Sequence, residues 1–195
     1  MSKEKKGKKD PGPAHPGPVE AAYAMPVRLP YGFASLVFAG GRLVAVPWEK
    51  DRRRLLASIR NGYPGARPAA GALEWCRGLL VRYADRDFPA PEEIFLLPFA
   101  WERVSTFDRT ILEATARIPA GCVATYGEVA ARAGRPGCAR AAGGALGRNP
   151  WPVLLPCHRV AGADGSLTGF GKGLPAKKAL LAFESSAPAA RRTAQ

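Results

Sequence analysis

The segment Pro156-Cys157-His158-Arg159 brings together the most reactive side chains of the chain. A thiolate is a strong nucleophile, and cationic neighbours such as His158 and Arg159 are expected to lower the pKa of the Cys157 thiol. Pro156 has a fixed φ and no amide hydrogen, so it is expected to end the strand-like run 153–155 and to present Cys157 at a corner. Most lone cysteines are small buried hydrophobic residues, but these neighbours predict nucleophilic chemistry at sulfur.

His158 is the nearest candidate base for the Cys157 proton. Side chains that are adjacent in sequence diverge, so we expect a water molecule to connect the two groups. His158 then needs an acceptor that orients its ring, and Glu184 is the candidate, although its spacing alone also suits a surface carboxylate. A cysteine hydrolase would need a directly bonded Cys–His pair, which adjacency disfavours, or the remote His15.

Two short helices precede the reactive segment. Thr125 and Glu128 have the spacing of a capping box, which predicts a helix over 126–133. A turn at 134–136 leads to a second helix over 139–148, and together the two helices predict a helix-turn-helix. Helical hairpins are common in proteins that bind no DNA, so this pattern alone is weak.

The second of these helices contains Gly143 and Gly144, each of which costs about 1 kcal/mol relative to alanine in a helix. Two explanations remain open. Glycine permits close packing against another helix. A smooth helix surface also suits the minor groove of DNA, which is about 6 Å wide, and Arg140 would then enter the base stack or contact a phosphate.

The flanking elements predict a mixed α+β chain. Glycines at 40 and 41 favour a β-hairpin between 33–38 and 42–46, and helical spacing predicts helices over 51–60 and 70–85. The apolar run 94–99 is consistent with a strand. Ser105 is a candidate cap for the helix that follows, and a final helix is expected over 175–185.

The composition restricts the classes of function. The chain has 195 residues and a formal charge of +13, from 29 Lys and Arg against 16 Asp and Glu, which favours nucleic acid first and anionic membranes second. No uninterrupted apolar run of eighteen residues exists, so no membrane-spanning helix is expected. The spacing of the four cysteines matches no zinc site, and no metal is expected. The amino terminus lacks an apolar leader, which predicts a reducing cytoplasmic compartment.

The C-terminal motifs together resemble a known family, the O6-alkylguanine-DNA alkyltransferases, also called methylated-DNA–protein-cysteine methyltransferases. The resemblance is strong over 104–185 and only general over 31–100. The motifs, in their family order and spacing, are IPAGCVATYGEVA at 118–130, RAAGGA at 140–145, NP at 149–150, PCHRV at 156–160, GSLTGF at 165–170 and KKALLAFE at 177–184.

This resemblance implies an α+β fold with two domains. A small N-terminal α/β domain of ribonuclease-H-like type is expected over 30–100. A mostly helical domain with a helix-turn-helix, which binds DNA and accepts the alkyl group, is expected over 101–187. We expect 1–29 to be a disordered, basic, proline-rich tail and 188–195 to be a second tail.

The resemblance also implies three sets of site residues. The catalytic residues would be Cys157, His158, Glu184, Tyr126 and Asn149. The DNA-binding residues would be Arg140, Ala139, Ala141, Gly143, Gly144 and Thr125. The alkylguanine pocket would be lined by Val160, Phe170, Gly171, Pro152 and Tyr126.

The expected roles differ between these residues. Cys157 would accept the alkyl group, and Arg140 would fill the gap left by the extruded nucleotide. Tyr126 would push the 3′ phosphate and later protonate guanine N3. Asn149 would tie the helix-turn-helix to the reactive segment. Phe170 stands where many relatives have tyrosine, so it lacks a hydroxyl but keeps a face for stacking.

The activity implied is single-use DNA repair. An alkyl group on O6 of guanine, and also on O4 of thymine, would move irreversibly to Cys157 after the base is flipped out of duplex DNA. The expected partner is double-stranded DNA bound through its minor groove, with no cofactor and no membrane. A monomer is expected in the cytoplasm, on the nucleoid, or in the nucleus of a eukaryote. The alternative is a non-catalytic module that senses alkylated bases, although relatives of that kind have tryptophan at the reactive position.

Overall fold

The computed structural model describes residues 20–69, 71 and 73–185, and every structural statement below concerns these residues. Nine short strands occur in this part of the chain. They are β1 Ala21–Tyr23, β2 Val27–Leu29, β3 Gly32–Ala34, β4 Val37–Ala39, β5 Arg42–Ala45, β6 Trp48–Glu49, β7 Arg67–Pro68, β8 Ala124–Thr125 and β9 Val160–Ala161. They form a sheet of order β5-β4-β1-β7, a sheet of order β2-β3-β6 and the pair β8-β9.

Seven α-helices complete the described part. They are α1 Arg52–Gly62, α2 Glu74–Ala84, α3 Pro91–Phe95, α4 Thr106–Ala116, α5 Tyr126–Arg132, α6 Ala139–Gly147 and α7 Leu174–Glu184, with 3-10 turns at Trp101–Arg103 and Cys157–Arg159. Most strands come before residue 70 and most helices after it, so the predicted α+β class is confirmed. None of these helices has both the length and the apolar character that crossing a membrane requires.

The predicted hairpin forms, but its first strand is shorter than expected. β4 pairs with β5 around Gly40 and Gly41, both of which have positive φ, as a tight hairpin turn requires. The run 33–38 is not one strand, because residues up to Ala34 pair with β6 and residues from Val37 pair with β1. The chain therefore crosses from one sheet to the other at Ser35, whose hydroxyl donates to Ala24 O at 2.6 Å.

The expected tail over 1–29 is wrong for residues 20–29, which form β1 and β2. Val27 and Leu29 are buried and Arg28 is exposed, which is the alternation of a strand with one face in the core. The proline and lysine content of the preceding residues hid this short pattern. Residues 1–19 of that tail and the second tail at 188–195 lie outside the described residues.

Two further strand predictions are also wrong. The run 94–99 contains the end of helix α3, and only Phe99 makes an isolated bridge to Leu43. The run 153–155 is a turn in which Val153 has φ 74° and the Leu155 amide donates to Trp151 O. Short apolar runs occur in buried strands, helices and turns alike, so periodicity could not separate them.

Three predicted helix starts are confirmed by their caps. The Asp51 side chain accepts from the Arg54 amide, and the Ser105 hydroxyl accepts from the Asp108 amide. Thr125 and Glu128 form a reciprocal capping box at the start of α5. Each cap satisfies amides that have no partner within the helix.

The N-terminal and C-terminal regions share one hydrophobic core centred on Trp151. Its indole Nε1 donates to Leu43 O at 2.9 Å, and the Val46 amide donates to Pro150 O at 2.8 Å. The ring also packs against Phe99 and Trp101. The segment that leads to Cys157 is thereby fastened to the sheet of the N-terminal region.

Strands β3 and β6 approach each other closely because residue 32 is glycine. Gly32 has φ 131°, and a Cβ atom at this position would lie 2.1 Å from Glu49 O. A side chain here would therefore force β6 away from β3, and any L-residue would be strained at this φ.

We expect Gly32→Ala to lower the free energy of unfolding by about 2 kcal/mol or more, because both the clash and the backbone strain must be relieved. Gly78→Ala is the matched control, since a Cβ at Gly78 meets nothing within 4 Å in the middle of α2. It should stabilise the protein by about 0.5–1 kcal/mol. Urea unfolding of the two variants and the wild type measures both effects, and a Gly32→Ala midpoint equal to the wild type would contradict this account.

Candidate functional site

Asn149 holds Cys157 in place. Its Nδ2 donates to Leu155 O at 2.7 Å and to Cys157 Sγ at 3.3 Å, and its Oδ1 accepts from the Trp151 amide at 2.9 Å. Because Asn149 directly follows the α6 cap at Arg148, it joins this helix to the 3-10 turn that begins at Cys157. The side-chain amide of Asn149 therefore positions the segment before Cys157 and also donates a hydrogen bond to the sulfur.

Cys157 is a free thiol, and only 8% of its surface is exposed. Burial raises its pKa above the ordinary thiol value, while the hydrogen bond from Asn149 and the charge of Lys177 oppose this rise. The expected lowering by His158 and Arg159 is wrong, because both side chains turn away from the sulfur towards Glu184. The thiol is therefore mostly protonated at neutral pH.

The buried carboxylate of Glu184 collects donors from separate parts of the chain. His158 Nε2 and the Tyr83 hydroxyl both lie 2.7 Å from Oε1. Arg159 donates to both carboxylate oxygens at 2.9 Å, and the Gly121 amide lies 3.4 Å from Oε2. The contact between Glu184 and His158 that the sequence predicts is thus present, and Glu184 has no exposed surface.

These contacts determine the charge states of Glu184 and His158. Burial alone would raise the pKa of Glu184, but His158 and Arg159 outweigh it and hold this pKa well below its usual range. The bidentate contact with Arg159 lowers the pKa of Glu184 even when His158 is neutral. Burial also lowers the pKa of His158, against the opposing effect of Glu184, so the ring is neutral at pH 7.

The tautomer of His158 follows from the same contacts. An ionised carboxylate can only accept, so Nε2 must carry the ring hydrogen that faces Glu184. Nδ1 then has a lone pair, and it has no hydrogen-bond partner among the described residues. The ring is therefore prepared to accept a proton at Nδ1.

Lys177 is a buried cation beside this site. Its ammonium donates to Val160 O at 2.6 Å and to Thr168 O at 2.9 Å, and it lies 6.0 Å from the centre of the Tyr126 ring. Burial lowers the pKa of Lys177, and the nearby Cys157 opposes this shift. Lys177 thus joins β9 to the segment at Thr168 and places positive charge near the sulfur.

Sequence reasoning missed the roles of three residues here: Lys177, Tyr83 and Arg159. A signal existed for Lys177, because positions 177, 180 and 184 share one face of α7, and this face contains the buried Leu180 and Glu184. Tyr83 lies on the predicted apolar stripe of α2, but nothing in that stripe indicates a partner 101 residues away. No local signal showed that the Arg159 side chain would turn inward.

Helices α5 and α6 are joined by a turn in which Gly134 and Gly137 have positive φ. Gly143 faces the Tyr126 ring, and a Cβ added there would lie 3.6 Å from it, which is an ordinary van der Waals distance. Close packing therefore does not by itself require glycine at this position. Gly144 lies with Arg140 and Ala141 on the exposed side of α6. The outer surface of α6 is therefore smooth around a single arginine.

An ion pair fixes the end of α6. Arg148 donates to both carboxylate oxygens of Asp108, at 2.7 and 2.9 Å. These hydrogen bonds lower the pKa of Asp108, which is a buried residue of α4. A bidentate contact of this kind restricts rotation as well as separation, so the ion pair connects the end of α6 to α4.

An open cleft of about 500 Å³ lies between the start of α5, the start of α6 and the segment after β9. It is lined by Thr125, Tyr126, Gly127, Ala139, Arg140, Gly143, Ala163, Thr168 and Gly169. The Tyr126 hydroxyl donates to Thr168 O at 3.0 Å, next to the Lys177 contact. Five of the residues expected to catalyse or to bind DNA thus meet around one opening.

The four other expected pocket residues lie outside the lining of this cleft. Val160 is buried in β9, Pro152 is half-buried, and Gly171 is exposed. Phe170 is half-buried and packs edge-on against Trp48 at 6.2 Å between ring centres. The described residues contain no group of three His, Cys, Asp or Glu side chains that could hold a metal ion.

The chain is similar in sequence to proteins of known family. Residues 106–186 match the family model described as 6-O-methylguanine DNA methyltransferase, DNA binding domain. The chain is similar to the methylated-DNA–protein-cysteine methyltransferase of Mycolicibacterium paratuberculosis, with 51% identity over 82 residues, which are 42% of this chain and 50% of that protein. The similar protein of Salmonella typhimurium is 49% identical over 145 residues, which are 73% of this chain and 83% of that protein.

The fold is similar to a solved structure of Mycobacterium tuberculosis OGT in complex with DNA. The TM-score is 0.67 at 33% identity, and the match covers 86% of this chain and 96% of that chain. The chain spans about half the length of the mycobacterial curated relatives that it matches, and more than four fifths of the Salmonella relative. On the extent and identity of the Salmonella match, the chain belongs to the methylated-DNA–protein-cysteine methyltransferase family.

Proposed function

We propose that the chain is a single-use DNA repair protein. It transfers a methyl or larger alkyl group from O6 of guanine, and also from O4 of thymine, in duplex DNA to the sulfur of Cys157. The protein acts as a monomer, and the base is flipped out of the helix before the reaction.

One arrangement carries this proposal: the buried thiol of Cys157 is next in sequence to His158, whose Nε2 faces Glu184 and whose Nδ1 has no hydrogen-bond partner among the described residues. The raised pKa of Cys157 means that the sulfur needs a base at neutral pH. His158 supplies one, because Glu184 fixes the hydrogen on Nε2 and leaves Nδ1 able to accept. A bridging water molecule would relay the proton from sulfur to Nδ1, since adjacent side chains diverge.

The chemical step is an in-line displacement at carbon. The thiol proton passes to His158, and a sulfur lone pair forms the new bond to the alkyl carbon. The bond from that carbon to guanine O6 breaks, and its electrons go to the base. Tyr126 donates a proton to guanine N3, so the base leaves neutral. Asn149 and Lys177 stabilise the developing thiolate by a hydrogen bond and by charge.

The product explains why one molecule repairs one lesion. The new group on Cys157 is a thioether, which has no carbonyl for water to attack, unlike an acyl-enzyme. The buried position of Cys157 further limits access to the sulfur. No second step therefore regenerates the thiol.

The DNA-binding surface of the proposal is a helix-turn-helix formed by α5 and α6. The smooth outer side of α6, with Ala141 and Gly144, suits the narrow minor groove. Arg140 lines the cleft and would occupy the place of the flipped nucleotide. Tyr126, on the opposite wall, would press on the 3′ phosphate. The formal charge of +13 favours this polyanionic partner.

Intact-mass spectrometry tests the transfer itself. After incubation with excess duplex DNA that contains O6-methylguanine, the protein should gain the mass of one CH₂ unit, because a methyl group replaces the thiol hydrogen. Cys157→Ala should gain nothing, and the control Cys122→Ala should gain the same mass as the wild type. Methyl transfer to Cys157→Ala, or several lesions repaired per protein molecule, would overturn the proposal. Lesion binding without any adduct would favour the sensing module.

Arg140→Ala tests base flipping. Transfer from duplex DNA should slow by about tenfold or more, the scale of a lost stacking contact with nucleic acid. Transfer from free O6-benzylguanine, which needs no flipping, should change by less than about twofold. Arg60→Ala, at an exposed arginine of α1, is the control for charge alone. An equal loss on both substrates would contradict the role of Arg140.

Lys177→Met tests the electrostatic support of the thiolate. Loss of the ammonium should raise the pKa of Cys157 further, and each pKa unit reduces the thiolate fraction at pH 7 about tenfold. The variant should transfer the methyl group more slowly than the wild type, and this difference in rate should shrink as pH rises. The reason is that the variant thiol then ionises and the wild-type Lys177 loses its proton. Lys178→Met, at the exposed residue next to Lys177, is the control. Single-turnover rates at several pH values provide the measurement, and a deficit that does not change with pH would indicate a purely structural role.

A further inference from the structure

The segment 168–173, here named the pocket loop, cannot fix its own position. Three of its six residues are glycine, and Gly169 and Gly173 have positive φ. Within the pocket loop, the Gly173 amide donates to Phe170 O at 2.8 Å. Because glycine leaves the backbone free to adopt many conformations, contacts from other elements must determine where the pocket loop lies.

One end of the pocket loop is held by the C-terminal region. Thr168 O accepts from both the Tyr126 hydroxyl and the Lys177 ammonium. Lys177 also holds Val160 O, three residues after Cys157. This end therefore keeps a fixed relation to the reactive segment.

The other end is held by β6 of the N-terminal region. The Trp48 ring meets the Phe170 ring edge-on at 6.2 Å, with 67° between the ring planes. The next residue, Glu49, accepts from Lys172 Nζ at 2.8 Å. Two adjacent residues of one strand thus contact two positions of the pocket loop.

Strand β6 is itself packed in the core and paired with a neighbouring strand. Trp48 is 1% exposed, and its other ring contact is with Tyr31 at 6.3 Å. β6 pairs with β3, where Gly32 permits the close approach of the Glu49 backbone. The contacts at Phe170 and Lys172 therefore come from a support that does not move easily.

We propose that β6 clamps the pocket loop and that Trp48 and Glu49 thereby limit the size of the alkyl group that the site accepts. This inference rests on the proposed function. Thr168 and Gly169 line the cleft, and Lys177 connects Thr168 O to Val160 O, three residues after Cys157, so an outward movement of the pocket loop would widen the space near the sulfur. A methyl group needs no such movement, whereas a benzyl group occupies far more space beside the sulfur. Trp48 and Glu49 act through the pocket loop and are positioning residues.

The test compares two duplexes that differ only in the lesion, O6-methylguanine or O6-benzylguanine. Glu49→Gln should raise the ratio of benzyl to methyl transfer rates by about threefold, the scale that a partly exposed ion pair supports. Trp48→Leu, which removes the ring contact, should raise the ratio further. An unchanged ratio of benzyl to methyl transfer rates in both variants would overturn the inference. If Trp48→Leu does not fold, the result for Glu49→Gln alone decides the test.

Three control variants separate the clamp from general damage. Trp48→Phe keeps an aromatic ring against Phe170 and should keep the wild-type ratio. The double variant Glu49→Lys, Lys172→Glu exchanges the two charges and keeps the ion pair. Its ratio of benzyl to methyl transfer rates should equal that of the wild type. Glu113→Gln removes an ion pair with Arg109 on α4, away from the pocket loop, and should leave the ratio unchanged.

Hydrogen exchange separates the failure of this inference from the failure of the proposed function. Amides of residues 168–173 should exchange faster in Glu49→Gln than in the wild type, whether or not the protein transfers methyl groups. If these amides exchange faster in Glu49→Gln but the protein transfers no methyl group, the contact between β6 and the pocket loop is supported and the repair activity is rejected. Normal transfer with unchanged exchange and an unchanged ratio would reject the clamp alone.

Discussion

The buried carboxylate of Glu184 is the interaction on which the site depends. A charge without access to water is tolerated only when hydrogen bonds and opposite charge surround it, and here Arg159 provides both. The remaining donors are His158, Tyr83 and the Gly121 amide, which come from different parts of the chain. Rotation of the His158 ring would therefore break its hydrogen bond to a carboxylate that also accepts from Tyr83 of α2.

Burial gives the reactive cysteine its chemical character. A solvent-exposed thiol next to cationic side chains would ionise readily and react with any electrophile. Cys157 instead has a raised pKa, a hydrogen bond from Asn149 and a nearby cation in Lys177. In the proposed mechanism, His158 removes the proton from this sulfur. In the proposed reaction, transfer is therefore restricted to an alkyl group held close enough for the proton and the carbon to move together.

The N-terminal region contains none of the groups proposed to react, but it supports them. Trp151 donates to Leu43 in β5, and Tyr83 of α2 reaches Glu184. Trp48 and Glu49 of β6 contact the segment that forms the cleft wall. These contacts make the small strands of residues 21–49 a scaffold for the C-terminal site, because short glycine-rich segments cannot hold a fixed geometry by themselves.

The sequence by itself determined the features that depend on neighbouring residues. The cap at Ser105, the capping box of α5, the hairpin turn and the motif around Cys157 are local, so spacing and residue type were sufficient to predict them. The family resemblance also placed Glu184 beside His158. Only the tertiary structure decided where side chains turn and how deeply they are buried. It directed Arg159 inward, buried Lys177 beside the sulfur and raised the pKa of Cys157. The physical reason is that desolvation and charge act through space, between residues that the chain separates by up to 101 positions.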